Sequence, residues 1–414
     1  MPQPPAIPLP FSPRTTWLML TALTSAFALS QAYRTVAAIM ATGLQADFGL
    51  SARDLGLFAG AFHFAFGAMQ LCMGIGIDLY GVRRTVLAAF PLAIIGAVLS
   101  ALSPGYGALL CGQVLIGVGC APAFLVCTVF IARQFAAHRF AAVSGASMAM
   151  GTVGMLLTGT PLAWLVQQLS WRAGFAVLGG LSALAWLWIF LVVKEPGGAA
   201  RPGAARESLR EAVARFAALF LLPHTWGIVV LGSVTYAAFI SLRGLWLGPL
   251  LIERHQFSLV ESGHVALAVS LVSLCGPLIF GRIDPGPASR RRWIVGCTLA
   301  VAALFAAFAL ARHTWVDVAG ALLVGVLSGY IILQYADVRA AYPAALTGRA
   351  MAVFTMAMFL GVAAMQWLTG WIASLASAHG ADPFMAVMGA IAALLVLAAV
   401  AFRSLPGPPP AGPA

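Results

Sequence analysis

Twelve apolar stretches of about twenty residues follow one another along this chain, each long enough to cross a bilayer as a helix. They cover 16–44, 54–77, 84–102, 106–131, 140–168, 172–193, 224–251, 262–283, 293–311, 315–338, 349–374 and 383–402. Strand-length alternation is absent, and lipid cannot satisfy loose backbone groups, so each stretch is expected to be a helix. With 61% hydrophobic and 8% charged residues, the 414-residue chain reads as an all-α polytopic membrane protein. The first stretch is too long for a signal h-region and lacks a basic segment before it, so it is expected to stay as a span.

Charge placement sets the topology. An even number of spans puts both termini on one side. Seventeen of the 23 Lys and Arg residues fall on that side, four on the other, and two inside spans. The positive-inside rule then makes both termini cytoplasmic, as in a bacterial inner membrane. The net charge of +11 serves topology, and nucleic acid is not an expected partner. One composition break, at 194–216, separates two halves. The expected organisation is a Pro-rich tail (1–15), a six-helix bundle (16–193), a cytoplasmic loop with a short charged helix (194–222), a second six-helix bundle (223–403) and a disordered tail (404–414). The six cysteines all fall in apolar stretches and are expected to act as small buried hydrophobes.

Two charges resist this scheme. Arg34 lies deep in the first stretch and Arg243 in the seventh. An arginine at mid-bilayer costs ~2.5–3.5 kcal/mol even on the lenient insertion scale, which makes each a functional candidate. Arg34 precedes Ser51-Ala52-Arg53-Asp54-Leu55-Gly56, and Arg243 precedes Ser258-Leu259-Val260-Glu261-Ser262-Gly263. Both strings read Ser-x-x-acid-x-Gly, so one structural unit is used twice. Two inward guanidinium groups with no matching acid suit a small anionic cargo, because arginine stays charged when buried and offers a planar fork to two oxygens. Parallel repeats imply a midplane site between the halves and access that alternates as they rock.

The loop after the second stretch reads Gly74-Ile75-Gly76-Ile77-Asp78-Leu79-Tyr80-Gly81-Val82-Arg83-Arg84. It resembles the signature of the major facilitator superfamily, Gly-x-x-x-Asp-(Arg/Lys)-x-Gly-x-(Arg/Lys)-(Arg/Lys), with Leu79 replacing the usual base. The resemblance implies two pseudo-symmetric six-helix bundles and a cytoplasmic gate formed by Gly74, Asp78, Gly81, Arg83 and Arg84. A degenerate copy, Gly281-Arg282-Ile283-Asp284 followed by Arg290, Arg291 and Arg292, recurs in the second half. Within that superfamily, Ala32-Tyr33-Arg34 and the string from Phe48 to Gly56 are distantly similar to the organophosphate:phosphate antiporters, as are Arg243, Trp246, Pro249 and Glu253. That likeness implies that Arg34 and Arg243 grip the anion. Gln70 stands at the antiporters' pocket lysine, and Met150 or Gly151 at their pocket histidine. Gln113 replaces the arginine usual in proton-coupled members.

Helical spacing adds candidates. Gln31 shares a face with Arg34, His63 with Gln70, Tyr236 with Arg243, and Tyr330 with Gln334; Gln366 stands alone. His63 is the one histidine in mid-span and the best available proton carrier. The candidate cargo-binding set is therefore Arg34, Arg243, Gln31, Tyr33, His63, Gln70, Tyr236, Trp246, Tyr330, Gln334 and Gln366. The expected function is secondary active transport of a small organic or inorganic anion by a monomer, coupled to protons or a counter-anion. No cofactor, metal or enzymatic activity is expected, since no nucleophile–base or metal constellation occurs. The rivals are an exporter of hydrophobic compounds and a transporter-like receptor that binds without transporting.

Overall fold

The structure, a computed structural model, describes residues 11–136, 139–195, 214 and 216–406. The tail ends at 1–10 and 407–414, and the charged run at 196–213, lie outside the described residues. Among the described residues the regular structure is helical throughout, and ten helices are long and apolar enough to cross a membrane.

The remaining expected spans are present but interrupted. Span one runs Pro13–Thr35, breaks at Val36 and resumes as Ala37–Phe48. Span two starts as Ala52–Ala68 and continues into Gln70–Ala101, which also holds span three. The turn between them is Gly81, at φ 85° and ψ 173°. That backbone region favours glycine, which explains the motif's demand for one there. Then follow Tyr106–Gln134 (four), Val143–Gln168 (five), Trp171–Val192 (six), Pro223–Arg254 (seven), Leu259–Arg282 (eight), Pro287–Leu310 (nine), Thr314–Ala341 (ten), Leu346–Ala378 (eleven) and Pro383–Ser404 (twelve).

The repeated strings have a definite structural meaning. Ser51 and Asp54 form a complete capping box at the start of span two, as Ser258 and Glu261 do at the start of span eight. The glycine closing each string is a contact between the halves. A Cβ on Gly56 would stand 2.4 Å from the Gln366 carbonyl oxygen of span eleven, and one on Gly263 would stand 2.7 Å from Ala163 of span five. Small residues let helix axes approach closely in a bilayer. The second copy of the gate motif also repeats its turn, with Gly286 at φ 78° after Asp284.

These approaches seal one end. Gly60 lies against Ala363, Gly159 against Leu267, Gly244 against the Arg34 carbonyl and Gly248 against the Ala38 carbonyl. The Arg53 N–H donates to Ser374 Oγ at 2.8 Å. All lie between mid-bilayer and the end remote from the termini, here called the far side. There Asp47 accepts from Trp171 Nε1 at 2.9 Å and from Arg172. Exposed tryptophans mark both boundaries, Trp17, Trp226 and Trp293 near the terminal side and Trp164 and Trp315 near the far side.

The cysteines depart from expectation. Cys120 and Cys127 are buried, but Cys72, Cys111 and Cys275 are exposed. Lipid accepts a small apolar side chain as readily as a protein core does, so an apolar stretch does not dictate which face a cysteine takes.

Candidate functional site

Arg34 sits where the two halves meet, 6% exposed. Its guanidinium lies between two aromatic faces, 4.7 Å from the Phe66 centroid on span two and 4.6 Å from the Phe359 centroid on span eleven. Its Nη1 donates to the Tyr236 hydroxyl of span seven at 3.3 Å. Its Nε has no partner. Cation–π contact stabilises a guanidinium by about 0.5–2 kcal/mol but leaves its N–H edge unsatisfied.

More unsatisfied polar atoms belong to the same helices. Ser30 Oγ and Gln31 Oε1, one turn before Arg34, have no partner. His63 is buried, with Nδ1 3.1 Å from the Ala59 carbonyl and its ring stacked 6.5 Å from Phe359. Its Nε2 is unpartnered, as are both amide atoms of the buried Gln366. Lone buried polar atoms are costly, although Gln366 lies beside His63 and Ser30 beside Cys120.

Other candidates are placed differently. Tyr33 turns into its own bundle, with its hydroxyl 3.1 Å from Ser182 Oγ. Trp246 donates to Thr369 Oγ1 at 3.0 Å, and Tyr330 meets Thr298 Oγ1 at 2.9 Å. Gln70 donates to the Phe66 and Ala121 carbonyls at 3.3 and 3.2 Å. Gln334 accepts from Thr235 at 3.1 Å and keeps a free Nε2.

Arg243 is fully buried and its fork is mostly engaged. Nε donates to the Ala266 carbonyl and to Ser270 Oγ, both at 3.0 Å, on span eight. Nη2 donates to the Met155 carbonyl at 3.1 Å and reaches the Thr158 carbonyl at 3.5 Å, on span five. Only Nη1 lacks a partner. No described carboxylate pairs with either arginine. Asp317 is fully buried, but it serves Arg254 at 3.4 Å and His255 at 2.6 Å at the far side.

The gate motif lies at the terminal side. Gly74 packs beside Leu125, while Asp78 is largely exposed, 4.0 Å from Arg133. Arg83 donates through Nε to the Val193 carbonyl at 2.6 Å and through Nη2 to the Phe190 carbonyl at 3.0 Å. Glu195 was not among the sequence candidates. Its carboxylate accepts from the Val82 and Arg83 backbone N–H groups at 3.1 and 2.9 Å, against Gly81. A Cβ at position 81 would stand 2.2 Å from that carboxylate. Arg84 lines a shallow cavity of about 380 Å³ with Arg83, Lys194 and Glu195.

The Major Facilitator Superfamily model matches residues 22–336. The chain belongs to the major facilitator superfamily. Within it, the chain is 26% identical over 165 residues to a hexuronate transporter of Bacillus subtilis, covering 39% of each chain. It is 25% identical over 159 residues to a D-galactonate transporter of Escherichia coli, covering 38% of this chain and 37% of that one. An Escherichia coli inner membrane transport protein, YdhP, is 30% identical over 169 residues, covering 37% and 43%. The matched stretch thus spans about two fifths of these relatives' length. The fold is also that of a bacterial homologue of the lysosomal transporter Spinster, with TM-score 0.74, 17% identity and coverage of 95% and 97%. A D-xylose-proton symporter gives TM-score 0.72 at 16% identity, covering 95% and 98%. The protein is therefore an integral multi-pass membrane protein of the superfamily.

Proposed function

We propose that this transporter carries a small organic anion by alternating access, with Arg34 as the carboxylate anchor and sugar acids as the favoured cargo. The observation that carries this reading is the Arg34 guanidinium, buried between Phe66 and Phe359 without an acidic partner and with Nε unsatisfied. Burying a charge without a counter-charge is costly, and an incoming carboxylate reduces that cost. Ser30, Gln31, His63 and Gln366 offer hydrogen-bonding atoms suited to hydroxyls on the same cargo. The hexuronate and D-galactonate transporters among the relatives support this class. In this reading the termini are cytoplasmic, the membrane is a bacterial inner membrane and the sealed far side faces out. Cargo then exchanges with the cytoplasm past the Gly81–Glu195 gate region.

The aromatic wall formed by Phe62, Phe66 and Phe359 favours one alternative, export of hydrophobic compounds. A thermal-shift comparison of purified wild type and Arg34→Gln with glucuronate, galactonate, a sugar phosphate and a lipophilic cation separates the two. Saturating sugar acid at a hundredfold excess over its Kd stabilises wild type by about 2.7 kcal/mol and leaves Arg34→Gln unshifted. Equal stabilisation of both proteins by the acids, or a cation response indifferent to Arg34, overturns the proposal.

A further inference from the structure

The two arginines occupy equivalent places in the repeat. Arg34 of span one lies between spans two and eleven, and Arg243 of span seven lies between spans eight and five. What surrounds them differs. Arg34 meets two ring faces, which accept no N–H from its edge, and one hydroxyl, that of Tyr236, on Nη1. Arg243 meets two carbonyls and a hydroxyl that take up Nε and Nη2. These partners also divide between the halves. Ala266 and Ser270 belong to the second half with Arg243, whereas Met155 belongs to the first.

We propose that Arg243 is the latch of the far-side seal, a bridge between bundles that must break each time that side opens. Around it the seam is tight. Gly263 faces Ala163 and Thr160, and Gly159 faces Leu267. The backbone at Arg243 is a π-helical stretch, Leu242–Trp246. Such a stretch marks a local departure from α-helical register, a common feature of functional sites. When spans five and eight part, the Met155 carbonyl leaves and Nη2 turns to water. The sealed state therefore depends on the fork geometry of this side chain and not on its charge alone. A lysine keeps the charge and its burial cost but cannot reach both bundles at once.

The latch rests on alternating access, and not on the identity of the cargo, so it is tested without ligand. Spin labels carried on ketone amino acids at the exposed Leu102 and Leu310, at the far ends of spans three and nine, report the far-side opening. The native cysteines stay in place. The measurement is the distance distribution in the full chain in lipid nanodiscs. Arg243→Lys raises the ratio of far-open to sealed molecules about tenfold, as loss of one charge-assisted bond implies. Arg243→Gln, an uncharged amide too short to hold span eight and reach the Met155 carbonyl together, shifts the ratio the same way. It decides the matter if the lysine variant does not fold. Ser270→Ala, which removes an acceptor within the second half only, leaves the ligand-free distribution at its wild-type form. A wild-type distribution in both Arg243→Lys and Arg243→Gln overturns the latch, whatever the cargo experiments give.

Discussion

Gly56→Ala is the smallest change that should pry the far side open. The new methyl carbon would sit 2.4 Å from the Gln366 carbonyl oxygen, 3.3 Å from its carbonyl carbon and 3.0 Å from Gly370 Cα. All three atoms are backbone, so no side-chain rotation can relieve the contact. Spans two and eleven must separate by about 1 Å at this point, and overpacking of this kind costs ~1–3 kcal/mol. The cost falls only on the sealed state, where these helices touch. The far-open to sealed ratio should therefore rise about 5–150-fold. The labels at Leu102 and Leu310 read this directly, as a growing long-distance population in ligand-free protein. Gly263→Ala meets the Ala163 side chain at 2.7 Å and Thr160 Cα at 3.2 Å, so it should act in the same direction. Gly105→Ala is the control, since nothing lies within 4 Å of its added carbon. A wild-type distance distribution in Gly56→Ala, with unchanged thermal stability, would refute the assignment of these glycines to the seal.

Two further outcomes follow from the charged clusters at the ends of the second half. Asp284 accepts from Arg290 Nε at 3.0 Å and from Nη2 at 2.6 Å, with the Gly286 N–H adding a third bond. These bonds, Arg290 first, hold its carboxyl below the usual range against the opposing effect of burial. A depressed folded-state pKa stabilises above the unfolded value of about 3.9 and is lost as pH falls through the folded value. Asp284→Asn should lower stability by about 1 kcal/mol at neutral pH, and the gap to wild type should close below about pH 4 in thermal melts. At the far side, Asp317→Ala strips His255 and Arg254 of a fully buried partner, although Asp382 still meets Arg254 at 3.1 Å. Loss of about 3 kcal/mol is expected in thermal unfolding, and a melting temperature within about 1 °C of wild type would count against a structural role for the cluster.

Much of the architecture was legible because bilayer physics leaves few solutions. Apolar run length specifies spans, and the Ser-x-x-acid string specifies a helix start wherever it precedes one. Gly81 was legible as a turn because few other residues adopt its φ. Contacts between distant spans were not legible. Phe359 lies seven residues before Gln366, which hints at a shared face, but nothing in the string says that this face meets Arg34. Glu195 read as part of a polar linker, and its bonds to the Val82 and Arg83 N–H groups depend on how span six ends beside that turn. Arg254, His255, Asp317 and Asp382 read as scattered charges near span ends, yet the ends of spans seven, ten and twelve bring them together.

The limit is clearest at the arginines themselves. Sequence alone places two guanidinium groups at similar depth and invites one role for both. Their roles are decided by what the neighbouring helices present, a choice made between aromatic faces and carbonyl oxygens. A carbonyl or hydroxyl satisfies an N–H and makes the guanidinium part of the wall. A ring face stabilises the charge from the side and leaves the edge open to an anion. Two-fold repetition therefore provides two equivalent cationic positions. In the roles proposed above, the Phe66 and Phe359 rings leave the edge of one free for cargo, and the carbonyl acceptors around the other tie the halves together.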